Sequence, residues 1–194
     1  MRPADAFAPV MHVAALFSAF DRPWFIAGGW AIDLFLGEVT RTHADVDVAI
    51  LRRDQRAVRD ALPAWEFEKV VEGRREPWRE GEWLNLPVHE IHGHRSGGAP
   101  REIELLLNEA TDEEWVFRRD ARITRPLSKA VLRTPAGVPF LAPEIVLLFK
   151  TKHPKPKDLE DFERARPRLG LRREHWLRGA LETCHPRHPW IARL

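Results

Sequence analysis

FIAGGWAIDLFLGEVTRTHADVDVAI, residues 25–50, joins a glycine pair to two aspartates spaced i, i+2. Trp24 to Ala27 reads as a short buried strand, and Trp30 to Leu36 as a helix stopped by Gly37. A strand that runs through Gly28-Gly29 straight into a helix lets backbone N–H groups approach an anion closely, and the helix N-terminus adds partial positive charge. Taken alone, a Gly-Gly pair is more readily a plain strand-to-helix turn. Further on, Val46 to Leu51 alternates as a strand, so the carboxylates of Asp45 and Asp47 share one face while Val46 and Val48 point into the core. Two acids on one face repel each other, and a divalent cation that takes hard oxygen ligands, Mg²⁺, is their natural partner, although an isolated D-x-D is more often a solvated edge-strand pair. Mg²⁺ takes one or two carboxylates plus phosphate oxygens, so a phosphate cradle beside a carboxylate pair describes a nucleoside triphosphate site.

The rest of the chain limits what such a site can belong to. A length of 194 residues allows one main domain, or a catalytic domain with a helical appendage. No apolar run reaches the length of a membrane span, and the first twenty residues lack the continuous apolar centre of a signal peptide, so no membrane role is expected. A single cysteine, Cys184, excludes an internal disulfide and fits a cytoplasmic protein. The net charge of +2 is too small, and its arginines too interspersed with acids in EGRREPWREGE and RRDARITR, to favour a nucleic-acid partner; both runs read as solvated faces.

Alternating elements follow the opening stretch. Residues 6–20 read as an amphipathic helix and Gln55 to Leu62 as a helix ended by Pro63. Strand-like segments fall at Glu66 to Val71, Trp83 to Leu86, Val88 to His94, Glu102 to Leu107 and Val138 to Leu141. The last third is helical, with Pro143 and Pro156 at first helical positions and a third helix around REHWLRGALETC.

An apolar residue, Gly-Gly, then Asp-x-Asp on the next strand resembles the nucleotidyltransferase fold of the DNA polymerase beta superfamily. GGWAIDLFLG followed by TRTHADVD is similar to the branch that includes aminoglycoside 2″-nucleotidyltransferases and lincosamide nucleotidyltransferases. Trp30 stands where that superfamily usually has serine, and the fifteen residues 30–44 separate the glycines from Asp45. The resemblance covers roughly the first fifty residues and continues more weakly to the Lys150 region. It implies an α+β fold, a mixed β-sheet flanked by helices, with residues 1–142 as catalytic domain and residues 143–194 as a C-terminal helical segment packed on it. It also implies a metal-dependent enzyme that transfers an NMP, AMP foremost, from ATP or another NTP to a hydroxyl of a small molecule such as an aminoglycoside or lincosamide, releasing pyrophosphate. Two Mg²⁺ ions held by the carboxylates belong to that expectation. Transfer to tRNA or to a protein, as in toxin-like relatives, and a non-catalytic nucleotide-binding module stay open as alternatives.

The family implies a third carboxylate on a later strand. In PREIELLLNEA the alternation sets Ile103, Leu105 and Leu107 on one face and Glu102, Glu104 and Leu106 on the other. Glu104 is the choice, because it is flanked by apolar residues on a buried strand whereas Glu102 lies at the strand's start. The expected catalytic and metal-binding set is therefore Asp45, Asp47 and Glu104. Gly28, Gly29, Trp30, Arg41, His43, Lys150 and Lys152 are the expected nucleotide contacts, Arg41 as a bidentate phosphate donor and His43 either on phosphate or simply bonded within its loop. Asp33 is a helix-dipole residue or a support behind the site, the former preferred, and Asp158 and Asp161 read as first-turn acids of their helix. In HEIHGH a strand would put Glu90, His92 and His94 on one face, but no fourth ligand completes a tetrahedral zinc site, so a surface strand is preferred. NEATDEEW is a candidate acidic wall for a cationic acceptor, with an ordinary exposed turn as the plainer reading. The tryptophans are core anchors first.

Overall fold

The computed structural model describes residues 6–194. The expected N-terminal helix is α1 (Ala8–Leu16), and residues 1–5 of the expected catalytic domain lie outside the described residues. Next come β1 (Trp24–Ile26), α2 (Gly28–Leu36), β2 (Asp47–Leu51), α3 (Gln55–Ala61), β3 (Glu66–Val71) and β4 (Arg74–Pro77). They are followed by β5 (Glu90–His94), β6 (Glu102–Ala110), β7 (Glu114–Val116), β8 (Thr124–Pro126), the single turn α4 (Leu127–Ala130), β9 (Val131–Arg133) and β10 (Pro139–Leu141). Three helices close the chain: α5 (Pro143–Lys150), α6 (Pro156–Leu169) and α7 (Leu171–Cys184).

The sheet is mixed, in the order β4-β3-β5-β6-β2-β1-β10-β9, with β7 and β8 extending from β6. Its centre is β2, antiparallel to β1 and parallel to β6. Beyond Asp47 every residue of β2 is buried, and such a continuous apolar run is what a central strand covered on both faces requires. β6 instead alternates, burying Ile103, Leu105 and Leu107 and leaving Glu104 and Leu106 half-buried on the opposite face. α2 starts at Gly28, two residues earlier than its apolar pattern predicts, and ends where Gly37 takes a left-handed φ of 76° and its N–H bonds Asp33 O at 2.8 Å.

α5 and α6 pack against α2, and α7 packs against both. One apolar cluster runs from Val10 and Phe17 through the strands to Phe162, Leu177 and Trp190. Arg168 on α6 also donates to Leu36 O at 2.6 Å, tying the C-terminal helices to the end of α2. Among the described residues no helix is long and apolar enough to cross a membrane.

The segment Trp83 to Leu86, expected as strand-like, is a loop. Its backbone bonds go to side chains instead of to a ladder: Leu84 N–H donates to Gln55 Oε1 at 2.7 Å, and Leu84 O accepts from Arg52 Nη1 at 2.8 Å. Four short strands, β4, β7, β8 and β9, carry no alternation long enough to show in the sequence.

Candidate active site

Asp47 opens β2, and the parallel register sets it directly opposite Glu104 on β6. Asp45 lies in the bend just before the strand rather than on it, and is exposed. It still converges with the other two: one carboxylate oxygen from each of Asp45, Asp47 and Glu104 lies within 4.8 Å of the others. The Asp45 backbone is held by Trp30, whose Nε1–H donates to Asp45 O at 2.9 Å.

Gly28 sits against this cluster. Its φ is +57°, and a Cβ added there would overlap Asp47 Oδ2. A side chain is excluded by both the backbone conformation and the carboxylate. Ala27 N–H donates to Asp47 O at 2.9 Å, which locks the start of α2 to the start of β2. The first-turn N–H groups of Gly28, Gly29 and Trp30 have no acceptor within the helix and no side-chain cap.

Electrostatically the carboxylates are strained. Burial pushes Asp47 up to about 6, helped by Asp45 and opposed by Lys150 and Lys157. Burial pushes Glu104 up to about 8, with Asp47, Glu90 and Asp45 adding to it. More negative charge gathers here than the protein neutralises, and all three donors are hard oxygens, so the set fits a divalent cation such as Mg²⁺.

The loop between α2 and β2 is braced from behind. Asp33 is fully buried and accepts from Thr40 Oγ1 at 2.6 Å and pairs with His43 Nε2 at 2.6 Å. Since it lies in the second turn of α2, the helix-dipole reading does not describe it; it supports the loop. His43 also stacks on the Trp30 indole, with ring centroids 4.4 Å apart. Only 4% of its side chain is exposed, so it serves as a loop-fixing residue. Trp30 is likewise buried, which leaves its indole no open face for a base.

Arg41 packs over Gly29 and pairs with Asp161 through two bonds of 3.2 Å. Asp161, fully buried on α6, also takes Lys150 Nζ at 3.0 Å, and Lys150 reaches Asp158 Oδ1 at 2.6 Å. Asp158 Oδ2 accepts Lys155 N–H at 2.9 Å and so caps α6 as expected of a first-turn acid, whereas Asp161 is a bridge between two cations. Burial lowers the Arg41 pKa, but the Asp161 bond and charge, with Asp33 and Asp158, raise it overall.

A cavity of ≈ 320 Å³ opens beside Gly28 and is lined by Lys150, Lys152, Lys155 and Lys157 together with Arg118 and Arg119. The two arginines come from RRDARITR, which composition marks as a solvated face. Arg118 is in fact half-buried, with its guanidinium 5.2 Å from the Phe149 ring centre. Its pKa falls to about 10 through burial first, then through Arg119 and Arg52. An arginine pair directly after the buried Phe117, and three residues on from the buried Trp115, was the available signal, since a cation next to an apolar anchor is drawn into the fold.

On the other side of the carboxylates, the sheet face that carries Glu104 also carries Glu102 on β6, His92, His94 and Glu90 on β5, and Glu66 and Glu68 on β3. The NEATDEEW segment ends β6 and turns into β7; Asp112 is exposed and pairs with Arg53. Only its first residue, Asn108, reaches the cavity wall.

A family model described as aminoglycoside-2″-adenylyltransferase matches residues 9–136. No curated protein sequence matches the chain. Among solved structures, the antibiotic-resistance factor ANT(2″)-Ia is 17% identical, with a TM-score of 0.61 and 95% of each chain covered. The lincosamide antibiotic adenylyltransferase LnuA, with lincomycin bound, is 14% identical, with a TM-score of 0.56 over 81% of this chain and 94% of that one. An antigenic nucleotidyltransferase-like protein from Paracoccidioides brasiliensis is 19% identical, with a TM-score of 0.50 over 98% and 92%. At these identities the likeness establishes a shared fold.

Proposed function

The chain belongs to the aminoglycoside-2″-adenylyltransferase family and is a nucleotidyltransferase, and from that premise we propose that it transfers AMP from ATP to a hydroxyl of a small polycationic acceptor such as an aminoglycoside, releasing pyrophosphate. The observation that carries this reading is the convergence of Asp45, Asp47 and Glu104 between a basic cavity and an acidic sheet face. A lincosamide is the next acceptor class, since LnuA is a lincosamide adenylyltransferase of the same fold. The catalytic part is residues 1–142, with residues 143–194 a helical segment that supplies Lys150 and Lys152. The single cysteine fits a cytoplasmic setting.

Asp45, Asp47 and Glu104 would hold two Mg²⁺ ions. Bound there, the ions supply charge neutralisation on the phosphates and a lower pKa for the acceptor hydroxyl. The chain's own groups do the rest. The free N–H groups of Gly28, Gly29 and Trp30 and the α2 dipole face the triphosphate. Arg118, Lys150 and Lys152 receive its charge within the cavity, and Lys150 is pre-set by Asp158 and Asp161. Glu104 orients the acceptor hydroxyl and takes its proton as the acceptor oxygen bonds the α-phosphorus and the bond to pyrophosphate breaks. Glu66, Glu68 and Glu102 on the adjoining face suit an acceptor that carries ammonium groups.

That acidic face also opposes a polyanionic acceptor such as tRNA, and the basic groups line a concave cavity of nucleotide size rather than an open stripe. A non-catalytic nucleotide binder would have no use for all three carboxylates. The test is pyrophosphate release from each of the four NTPs with Mg²⁺, against aminoglycosides, lincosamides and tRNA. Aminoglycoside-dependent release from ATP is expected; release that follows tRNA alone, or nucleotide binding with no release, would overturn the reading.

A further inference from the structure

A second group of ligand atoms converges on the other side of Glu104. Glu90, His92 and Glu104 each bring a carboxylate oxygen or ring nitrogen within 4.8 Å of the other two. The register explains why: His92 lies directly across from Glu104 in the antiparallel β5–β6 pair, and Glu90, two residues away on β5, shares its face. His92 Nε2–H donates to Glu90 Oε1 at 2.8 Å, and Arg75 Nη2 donates to Nδ1 at 3.0 Å. The imidazole keeps 18% of its surface and the Glu90 carboxylate 33%. A cavity of ≈ 160 Å³ lined by Asp45, Arg75, His92 and Glu104 gives an ion a way in. The transfer reaction has no task for Glu90 or His92.

We propose that Glu90, His92 and Glu104 form a second cation site, selective for a transition metal such as Zn²⁺, that shares Glu104 with the Asp45/Asp47 pair. Hardness sorts the two sites: Asp45 and Asp47 offer only carboxylate oxygen, which suits Mg²⁺, whereas the imidazole of His92 adds the nitrogen donor that Zn²⁺ favours. The shared ligand makes them competitive. Zn²⁺ seated on Glu90 and His92 draws Glu104 away from the transfer site and slows the reaction; this consequence rests on the proposed role of Glu104, while the binding site itself does not. Coordination through Nε2 moves the ring proton to Nδ1 and displaces Arg75, an exposed side chain of the edge strand β4. Removing that cation therefore tightens the site.

Equilibrium dialysis of the full chain with Zn²⁺, and visible absorption after Co²⁺ substitution, read the site directly. One Zn²⁺ per chain is expected, bound about 10–100-fold more weakly in His92→Gln and Glu90→Gln. Asp45→Asn keeps the binding and Arg75→Met tightens it. The absorption of bound Co²⁺ disappears in His92→Gln, and so does Zn²⁺ inhibition of transfer. His185 and His188, whose rings lie 6.4 Å apart, are the competing imidazoles elsewhere in the chain. Zn²⁺ bound undiminished by a folded His92→Gln chain, or no Zn²⁺ bound at ~100 μM, overturns the proposal.

Discussion

The Asp47 carboxylate occupies the space that a side chain on Gly28 would need, and Gly28 holds a φ of +57° to leave it there. The same contact joins the start of α2, the proposed phosphate-binding turn, to the strand that carries the acids.

Gly28→Ala should therefore damage both. The strained φ and the overlap with Asp47 Oδ2 are expected to cost about 1–3 kcal/mol of stability. Activity should fall at least ~100-fold, since a displacement of about 1 Å at the reacting groups costs that much. Gly37→Ala is the control: it has a similar φ of +76° but open space around it, so it should lose only about 1 kcal/mol and keep its activity. Urea unfolding and transfer rates on the two variants check this.

The metal-free chain should be destabilised by its own active site as pH rises. The folded pKa of Glu104 is raised to about 8, so its contribution is most favourable below the unfolded value near 4.5 and is lost as pH rises through about 8. Glu104→Gln should then raise the melting temperature at pH 8 by about 2–5 °C, and by almost nothing at pH 4, while abolishing transfer. Added Mg²⁺ should stabilise the wild type at pH 8 more than the variant. Thermal melts with and without metal at the two pH values check both statements.

Arg118 should show the opposite trade. Burial lowers its pKa to about 10, which marks a cation held at a cost in the nucleotide-free chain. Arg118→Met is expected to leave the melting temperature unchanged or higher while raising KM for the nucleotide by ~10-fold or more. A fall in stability with an unchanged KM would remove Arg118 from the nucleotide cavity.

Asp33 and Asp161 act behind the site. Asp33→Ala strands the half-buried Thr40 hydroxyl and the His43 ring and is expected to cost about 2–4 kcal/mol. Asp161→Ala leaves Arg41 and Lys150 without their shared buried partner and should cost about 3–5 kcal/mol. Denaturant titrations measure both, and Asp33→Asn, which keeps an acceptor for Thr40, should fall between Asp33→Ala and wild type.

The part of the site that sequence made legible is the part whose geometry is local. Gly28-Gly29 running into a helix, Asp45 and Asp47 two residues apart, and Glu104 on an alternating strand are each set by neighbours in the chain. The helices opened by Pro143 and Pro156 were readable for the same reason. What sequence hid depends on long-range pairing. Asp161 meets Arg41 only after α6 docks on α2, so the acid looks like a first-turn residue. Glu90 and His92 meet Glu104 only through the β5–β6 register. Arg118 lies in a charged run whose burial is decided by Phe149 on a distant helix. The loop at residues 83–86 has strand composition, yet Gln55 and Arg52 take its backbone bonds.

The most direct test of the central claim follows the α-phosphate. With ATP labelled at the α-phosphorus, Mg²⁺ and an aminoglycoside, the label should move to the antibiotic in stoichiometric amount with pyrophosphate. Asp45→Asn and Asp47→Asn should abolish that transfer while their circular dichroism and melting remain those of folded protein. Undiminished label transfer by either folded variant would contradict the assignment of Asp45, Asp47 and Glu104 as the reaction centre.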